Sequence, residues 1–187
     1  MSSSGSVEGR ERLRLFLGFP LPASAARAVV RWQEEDLDAP QGTRVVPEAN
    51  LHVTIAFLGS RPGDELASIT DVLHEAVKGV DPPVLTALRY RETRSVGMLV
   101  FADEEGRAAR IAEAAHAGLA RLGVYEPEKR PWLPHLTVVR FRERPRLQPP
   151  IPELGAVTLS GAAVYISRLR PTGAQYEVVE SVPLGGG

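Results

Sequence analysis

Cysteine is absent from the 187-residue chain. That absence excludes a disulfide framework, a thiolate nucleophile and any cysteine-held zinc or iron–sulfur centre, and it is compatible with a reducing cytoplasm. Long apolar runs are missing too, and none approaches a membrane span. The N-terminal stretch has one short apolar segment, Leu15 to Phe19, without the long apolar region of a signal peptide. A cytoplasmic protein with no membrane partner is expected. Net charge is nearly lacking as well, at −1, which rules out a strong global field for nucleic acid or membrane surfaces. Lysine is scarce: of 22 basic residues, only Lys78 and Lys129 are not arginine. Coding bias explains such an excess as readily as function does. Arginine is nevertheless the side chain that grips phosphate oxygens in a bidentate way, so a polyanion must meet a local arginine patch.

What is present suits a globular protein. Apolar residues make up 43% and charged residues 24%, enough for one ordinary domain or two small halves packed together. Residues 10–183 are expected to form that unit, with 1–9 and 184–187 as flexible ends. "RLRLFLGF", Arg12 to Phe19, alternates like a strand and stops at Pro20 and Pro22. Helices are expected over Ala23–Leu37, Asp64–Val77 and the alanine-rich Glu105–Leu122. A short extended piece at Arg44–Val46 precedes a strand in "LHVTIAFLG", Leu51 to Gly59. Further strands are expected at Val84–Arg91, Val96–Phe101, in "PHLTVVRF" from Pro134 to Phe141, and at Val157–Ser167 and Gln175–Val182. A Pro-rich loop, Arg142 to Leu154, separates the Pro134–Phe141 strand from the one at Val157–Ser167.

Two of these strands carry the same anomaly. His52 and Thr54 sit two residues apart in one, and His135 and Thr137 repeat the arrangement 83 positions later. The surrounding plan repeats as well: strand, helix, loop, strand, with 36 residues from Phe16 to His52 and 36 from Leu99 to His135. Two equivalent halves facing each other would set the two histidines across one cleft.

Imidazole either holds or lacks a proton near neutrality, so one ring can give a proton while the other takes one. In-line displacement at phosphorus needs that division: a base for the attacking oxygen and an acid for the departing one. In a strand Thr54 shares a face with His52, and Thr137 with His135. Their hydroxyls can bond the non-bridging oxygens on which charge accumulates in the transition state. Arg140 can add a cation, although strict alternation puts it on the opposite face from Thr137 unless a bulge re-aims it. The symmetry of the plan does not say which histidine is acid and which is base.

A lone strand histidine is more often a hydrogen-bonded structural residue than a catalyst. With eight threonines in the chain, two chance repeats of this spacing among four histidines come to roughly 1%. His74 and His116 lack the pattern, and solvent-facing or capping roles are expected for them. A zinc site would need a third ligand; neither motif strand carries a carboxylate, and no HxH, HxxxH or HExxH occurs. No metal and no cofactor are expected.

The doubled H-x-T-x resembles the 2H phosphoesterase superfamily, and within it the bacterial and archaeal RNA 2′,3′-cyclic phosphodiesterases, also called 2′-5′ RNA ligases. The resemblance runs over "RLRLFLGFPLP", "VVPEANLHVTIAFLG", "RPWLPHLTVVRF" and "SRLRPTGAQYEVVES". It implies an α+β, bilobal fold of two pseudo-symmetric lobes, with antiparallel sheets lining a central cleft and helices outside. It further implies metal-independent hydrolysis of a 2′,3′-cyclic phosphate at an RNA end to a 2′-phosphate; a monomer is expected. His52 would protonate the leaving 3′ oxygen, His135 would activate water, and Thr54, Thr137 and Arg140 would hold the phosphate. Trp132 replaces a commonly smaller aromatic, and "VGMLVFAD" lacks the more usual Trp. Phe16 and Trp132 are candidates for stacking on a base, with plain core packing the competing role, more so for Phe16. Two other functions compete: a phosphodiesterase for 2′-5′ oligonucleotides or small cyclic nucleotides, and a non-catalytic RNA-end binder.

Overall fold

The computed structural model describes residues 11–185. In chain order the elements are β1 (Arg12–Pro20), α1 (Ala23–Glu35), β2 (Arg44–Val45), β3 (His52–Pro62), α2 (Leu66–Val77), β4 (Val84–Glu92), β5 (Val96–Ala102), α3 (Arg107–Arg121), β6 (His135–Arg140), β7 (Ala156–Thr158), β8 (Gly161–Arg170) and β9 (Gly173–Pro183). Every strand pairing is antiparallel. The strand order is β7-β4-β5-β6-β3-β1-β8-β9, with β2 paired to β6.

That order is symmetric about its middle. β5 and β6, which flank α3 in the chain, stand on one side; β3 and β1, which flank α1, stand on the other. The two expected sheets are joined into one nine-stranded sheet, and along its eight-strand path the join is a single residue pair, Val53↔Leu136. β2 adds a second link between the halves, pairing with β6 through Arg44↔Arg140 and Val45↔Val139. Val53 and Leu136 are 1% and 0% exposed and enter the same apolar core as Val29 of α1, Leu73 of α2 and Leu119 of α3. Burying each such side chain stabilises the fold by about 1.5–3 kcal/mol. α2 and α3 approach closely because Gly118 carries no Cβ; one there would stand 2.6 Å from Val72 Cγ1.

Several boundaries differ from expectation for identifiable reasons. Gly63–Glu65 forms a 3₁₀ turn, so α2 begins at Leu66 rather than Asp64. Gly106 adopts a left-handed φ of 64°, which a helix cannot contain, and α3 starts at Arg107 rather than Glu105. The single strand expected over Val157–Ser167 is two strands: β7 pairs with β4 at one end of the sheet, and β8 pairs with β1 in the other lobe. Leu159 N–H bonds the Pro83 carbonyl, and Leu184 N–H bonds the Ser160 carbonyl, on either side of that break. Leu184 is buried, so packed structure extends past 183; the expected flexible ends 1–9 and 186–187 lie outside the described residues. Among the described residues, no helix is long and apolar enough to cross a membrane.

Candidate active site

The Val53↔Leu136 rung decides where the motif side chains go. Both residues point into the core, so their neighbours on either strand point the other way. His52, Thr54, His135 and Thr137 therefore share the face away from the core. In an antiparallel pair that register sets each histidine toward the other strand's threonine and the two histidines on a diagonal.

Arg140 reaches the same face because β6 is bulged. Against β5, Gly97 pairs with Val139 and Met98 with Thr137, which leaves Val138 as the extra residue and reverses the alternation after it. β3 has the matching bulge: against β1, Leu17 pairs with Ala56 and Gly18 with Thr54, which leaves Ile55 over. The residue five beyond each histidine is thereby brought to the cleft. In one lobe it is Arg140; in the other it is Phe57, 49% exposed.

Each bulge carbonyl is held from the opposite half. Gln33 of α1 donates Nε2–H to Val138 O at 2.9 Å and to Val46 O at 3.1 Å. His116 of α3 donates from Nε2 to Ile55 O at 2.7 Å. Positions 33 and 116 differ by the same 83 that separates the motifs, so these two side chains are equivalents. His116 is thus half-buried and bonded across the lobes, and stacks on Tyr125, rather than facing solvent or capping its helix. His74 does face solvent and pairs with Glu180 at 3.1 Å.

His52, Thr54, Thr137 and Arg140 line a cleft of about 700 Å³ with Arg14, Arg44 and Phe57. Among the described residues no carboxylate lines it, so three guanidiniums make a local positive patch on a chain of net charge −1. His135 is not among the lining residues, yet its charge registers on His52. Among the described residues, no three side chains of metal-ligating type converge.

The imidazoles are oriented alike. His52 Nδ1 lies 2.8 Å from Asn50 O, and His135 Nδ1 lies 2.8 Å from Leu133 O. A carbonyl only accepts, so each Nδ1 carries the proton and each neutral ring presents Nε2 as the free base. Thr54 Oγ1, 3.0 Å from His52 Nε2, donates to it in that tautomer. Burial lowers the His52 pKa from 6.5 to about 4; the Asn50 bond opposes this, and the Arg140 and His135 charges add to it. The unfolded chain consequently binds more protons between those two values. We expect stability to be complete above about pH 6.5 and to fall as pH drops toward 4, by up to about 3 kcal/mol. Denaturant titrations at a series of pH values check this, with a shallower decline expected for His52→Gln.

A family model described as the 2′-5′ RNA ligase superfamily matches residues 20–170. The chain belongs to this superfamily. It is 30% identical over 183 residues to a Thermus thermophilus protein named RNA 2′,3′-cyclic phosphodiesterase, covering 93% of this chain and 91% of that one. A Methanocaldococcus jannaschii protein of the same name is 24% identical over 180 residues, covering 90% and 99%. Among solved structures, Escherichia coli LigT complexed with 3′-AMP superposes with a TM-score of 0.82 at 21% identity, covering 94% of this chain and all of that chain. A Thermus thermophilus structure superposes with a TM-score of 0.77 at 29% identity, covering 93% and 99%. These similarities bear out the expected superfamily and fold class.

Within this member of the 2′-5′ RNA ligase superfamily, the two stacking candidates are both engaged elsewhere. Phe16 lines the cleft but is 3% exposed. It is stacked on Tyr165 at 4.6 Å and lies 4.7 Å from the His52 ring, so it forms the bed on which that imidazole rests. Trp132 donates its indole N–H to Thr54 O at 3.1 Å, packs edge-on to Phe19 and is not among the cleft-lining residues. Phe57 is the open ring, and sequence reasoning passed over it as an ordinary strand residue. The signal was its place five beyond His52, the counterpart of Arg140.

Proposed function

We propose that the protein hydrolyses the 2′,3′-cyclic phosphate at an RNA end to a 2′-phosphate, by acid–base catalysis between His52 and His135 without a metal. What carries this reading is the convergence of two imidazoles, two threonine hydroxyls and the Arg140 guanidinium on one face of the central rung, beside a cleft that no carboxylate lines among the described residues. His135 Nε2 takes a proton from water as the water oxygen bonds to phosphorus. The bond from phosphorus to O3′ breaks, and His52 Nε2–H protonates the departing oxygen. Thr54, Thr137 and Arg140 donate to the non-bridging oxygens, where charge gathers.

The resting His52 is neutral, since its pKa lies at about 4. The anionic phosphate raises that pKa on entry, because an opposite charge within a few ångströms favours the imidazolium. The acid is therefore loaded with the substrate rather than before it. Its aromatic bed of Phe16, Tyr165 and Tyr176 keeps water away from the ring that gives up the proton.

Phe57 is placed to stack on the terminal base. Arg14 Cζ lies 4.7 Å over its ring, on one face, while nearly half its surface stays open. Base–aromatic stacking is worth about 1–3 kcal/mol. Phe57→Ala should raise KM for a nucleoside cyclic phosphate about 10-fold with kcat little changed, as steady-state kinetics would show.

The decisive experiment incubates the purified protein, with excess EDTA, with nucleoside 2′,3′-cyclic phosphates, with RNA ending in one, and with a 2′-5′-linked dinucleotide. Appearance of the 2′-phosphate from the first two supports the reading. Turnover of the 2′-5′ linkage alone transfers the site to that substrate, and tight binding without turnover of any of the three leaves an RNA-end binder.

A further inference from the structure

Arg44 is a cation in the cleft for which the reaction has no use. Its strand is only two residues long, pairs with β6 alone, and sets Arg44 directly opposite Arg140. Directly opposed residues of an antiparallel pair point to the same face, their Cβ atoms about 4.5–5.5 Å apart. Two guanidiniums in those positions repel each other. Neither has a carboxylate partner among the described residues, although the chain holds 23 acidic residues. An arrangement of this kind becomes favourable when polyanion phosphates lie between and beside the two cations.

The two guanidiniums serve different places. Arg140 is near enough to His52 for its charge to act on that ring. Arg44 leads toward the turn between β8 and β9, where its Nη1 stands 3.3 Å from the point a Cβ on Gly173 would occupy. Gly173 has a φ of 131°, so the absence of a side chain both permits that backbone and leaves room for the guanidinium. Thr172 and Ala174 line the same end of the cleft. The turn is tied to the catalytic strand by one residue: Asn50 donates Nδ2–H to Ala174 O at 2.8 Å, and its own carbonyl accepts from His52 Nδ1. A phosphate held at this end is therefore fixed in distance from His52.

We propose that Arg44, with Thr172 and the β8–β9 turn, forms a second phosphate subsite, which takes the phosphodiester joining the terminal nucleotide to the rest of an RNA strand. The proposal rests on the reading of the reaction given above and extends it: the preferred substrate is an oligonucleotide end rather than a free nucleoside cyclic phosphate. Backbone contacts of this kind position a strand without reading its bases.

The test compares three substrates on the native protein and on Arg44→Gln, Arg44→Lys and Arg121→Gln, the last an exposed arginine of α3 that serves as a charge-matched control. The substrates are a nucleoside 2′,3′-cyclic phosphate, the same compound bearing a 5′-phosphate, and a short RNA ending in the cyclic phosphate. Arg44→Gln is expected to raise KM for the RNA about 10-fold more than for the unphosphorylated nucleoside, with kcat for the RNA unchanged. The salt dependence of log(kcat/KM) for the RNA should become shallower by about 0.7, one phosphate contact on a single strand. Arg44→Lys should restore most of the loss, and the control should change neither substrate. Gain from the 5′-phosphate alone would place the contact at the first phosphate along the chain.

Equal losses on nucleoside and RNA would overturn the proposal by assigning Arg44 to the reacting phosphate, and no loss on either would overturn it outright. If the native protein turns over none of the three, the reading of the reaction has failed by itself. The subsite is then decided by equilibrium binding of a 2′-phosphorylated dinucleotide against a nucleoside 2′-phosphate. The Arg44→Gln penalty is expected for the first ligand alone, and its absence overturns the subsite.

Discussion

His52→Ala and His135→Ala should each lower turnover of a nucleoside 2′,3′-cyclic phosphate by about 10²–10⁴-fold while leaving affinity for the 2′-phosphate product within a few-fold. In the proposed reaction each ring supplies a proton transfer that water performs poorly at neutral pH, while the threonines and Arg140 supply most of the grip on the phosphate. In the proposed reaction the two act in one displacement, so the double variant should lose little more than the worse single one. The two variants should differ in stability. His52 rests against Phe16, with Tyr165 and Tyr176 beside it, so removing its ring opens a gap in packed aromatic surface. His135 has no comparable bed among the described residues. Initial rates of 2′-phosphate release, with thermal melts beside them, separate the chemical loss from the structural one. Full turnover in either variant would remove that histidine from the reaction.

The histidines and threonines were legible in the sequence because they are identical in both halves and lie at a constant offset. The bulges were not. A bulge is set by how β3 meets β1 and how β6 meets β5, and alternation along one strand carries no trace of it. Hence the objection to Arg140, sound for a regular strand, fails in the folded protein, and Phe57 went unnoticed for the same reason. Gln33 and His116 occupy equivalent positions but are different residue types, so a search for identities cannot pair them. Their shared capacity to donate one N–H to a bulge carbonyl becomes visible only when the lobes are assembled. Trp132 and Phe16 were ambiguous because an aromatic ring serves packing and stacking equally, and only the folded chain shows Phe16 against the His52 ring and the Trp132 indole N–H on Thr54 O. The break at Leu159–Ser160 is marked in the sequence only by the Ser160-Gly161 pair, which is easily absorbed between the apolar residues on either side, and its two pieces join opposite lobes of the sheet.

Arg140→Ala should reduce kcat by about 10²–10³-fold, the usual cost of removing one donor fixed on a developing oxyanion. Arg140→Lys should recover only part of it, since a point charge cannot make the paired contact of a guanidinium. The magnitude depends on pre-organisation. Arg140 faces the cleft only because Val138 is bulged, and Val138 O is held by the Val46 N–H at 2.9 Å as well as by Gln33. Gln33→Leu takes the side-chain donor from Val46 O, at a cost of about 1–3 kcal/mol, leaves Val138 O with the Val46 N–H alone, and loosens the strand between Thr137 and Arg140. It should therefore lower kcat of the folded protein with little change in KM for the nucleoside, by less than Arg140→Ala does. Combined with Arg140→Ala it should add almost nothing, because the guanidinium it positions is gone. On the other side, His116→Gln keeps a donor for Ile55 O and should stay close to the native rate, while His116→Leu should weaken nucleotide binding through Phe57. A purely structural role for either side chain would lower the melting temperature and leave kcat and KM of the folded fraction where they were; the double-variant kinetics distinguish the two directly.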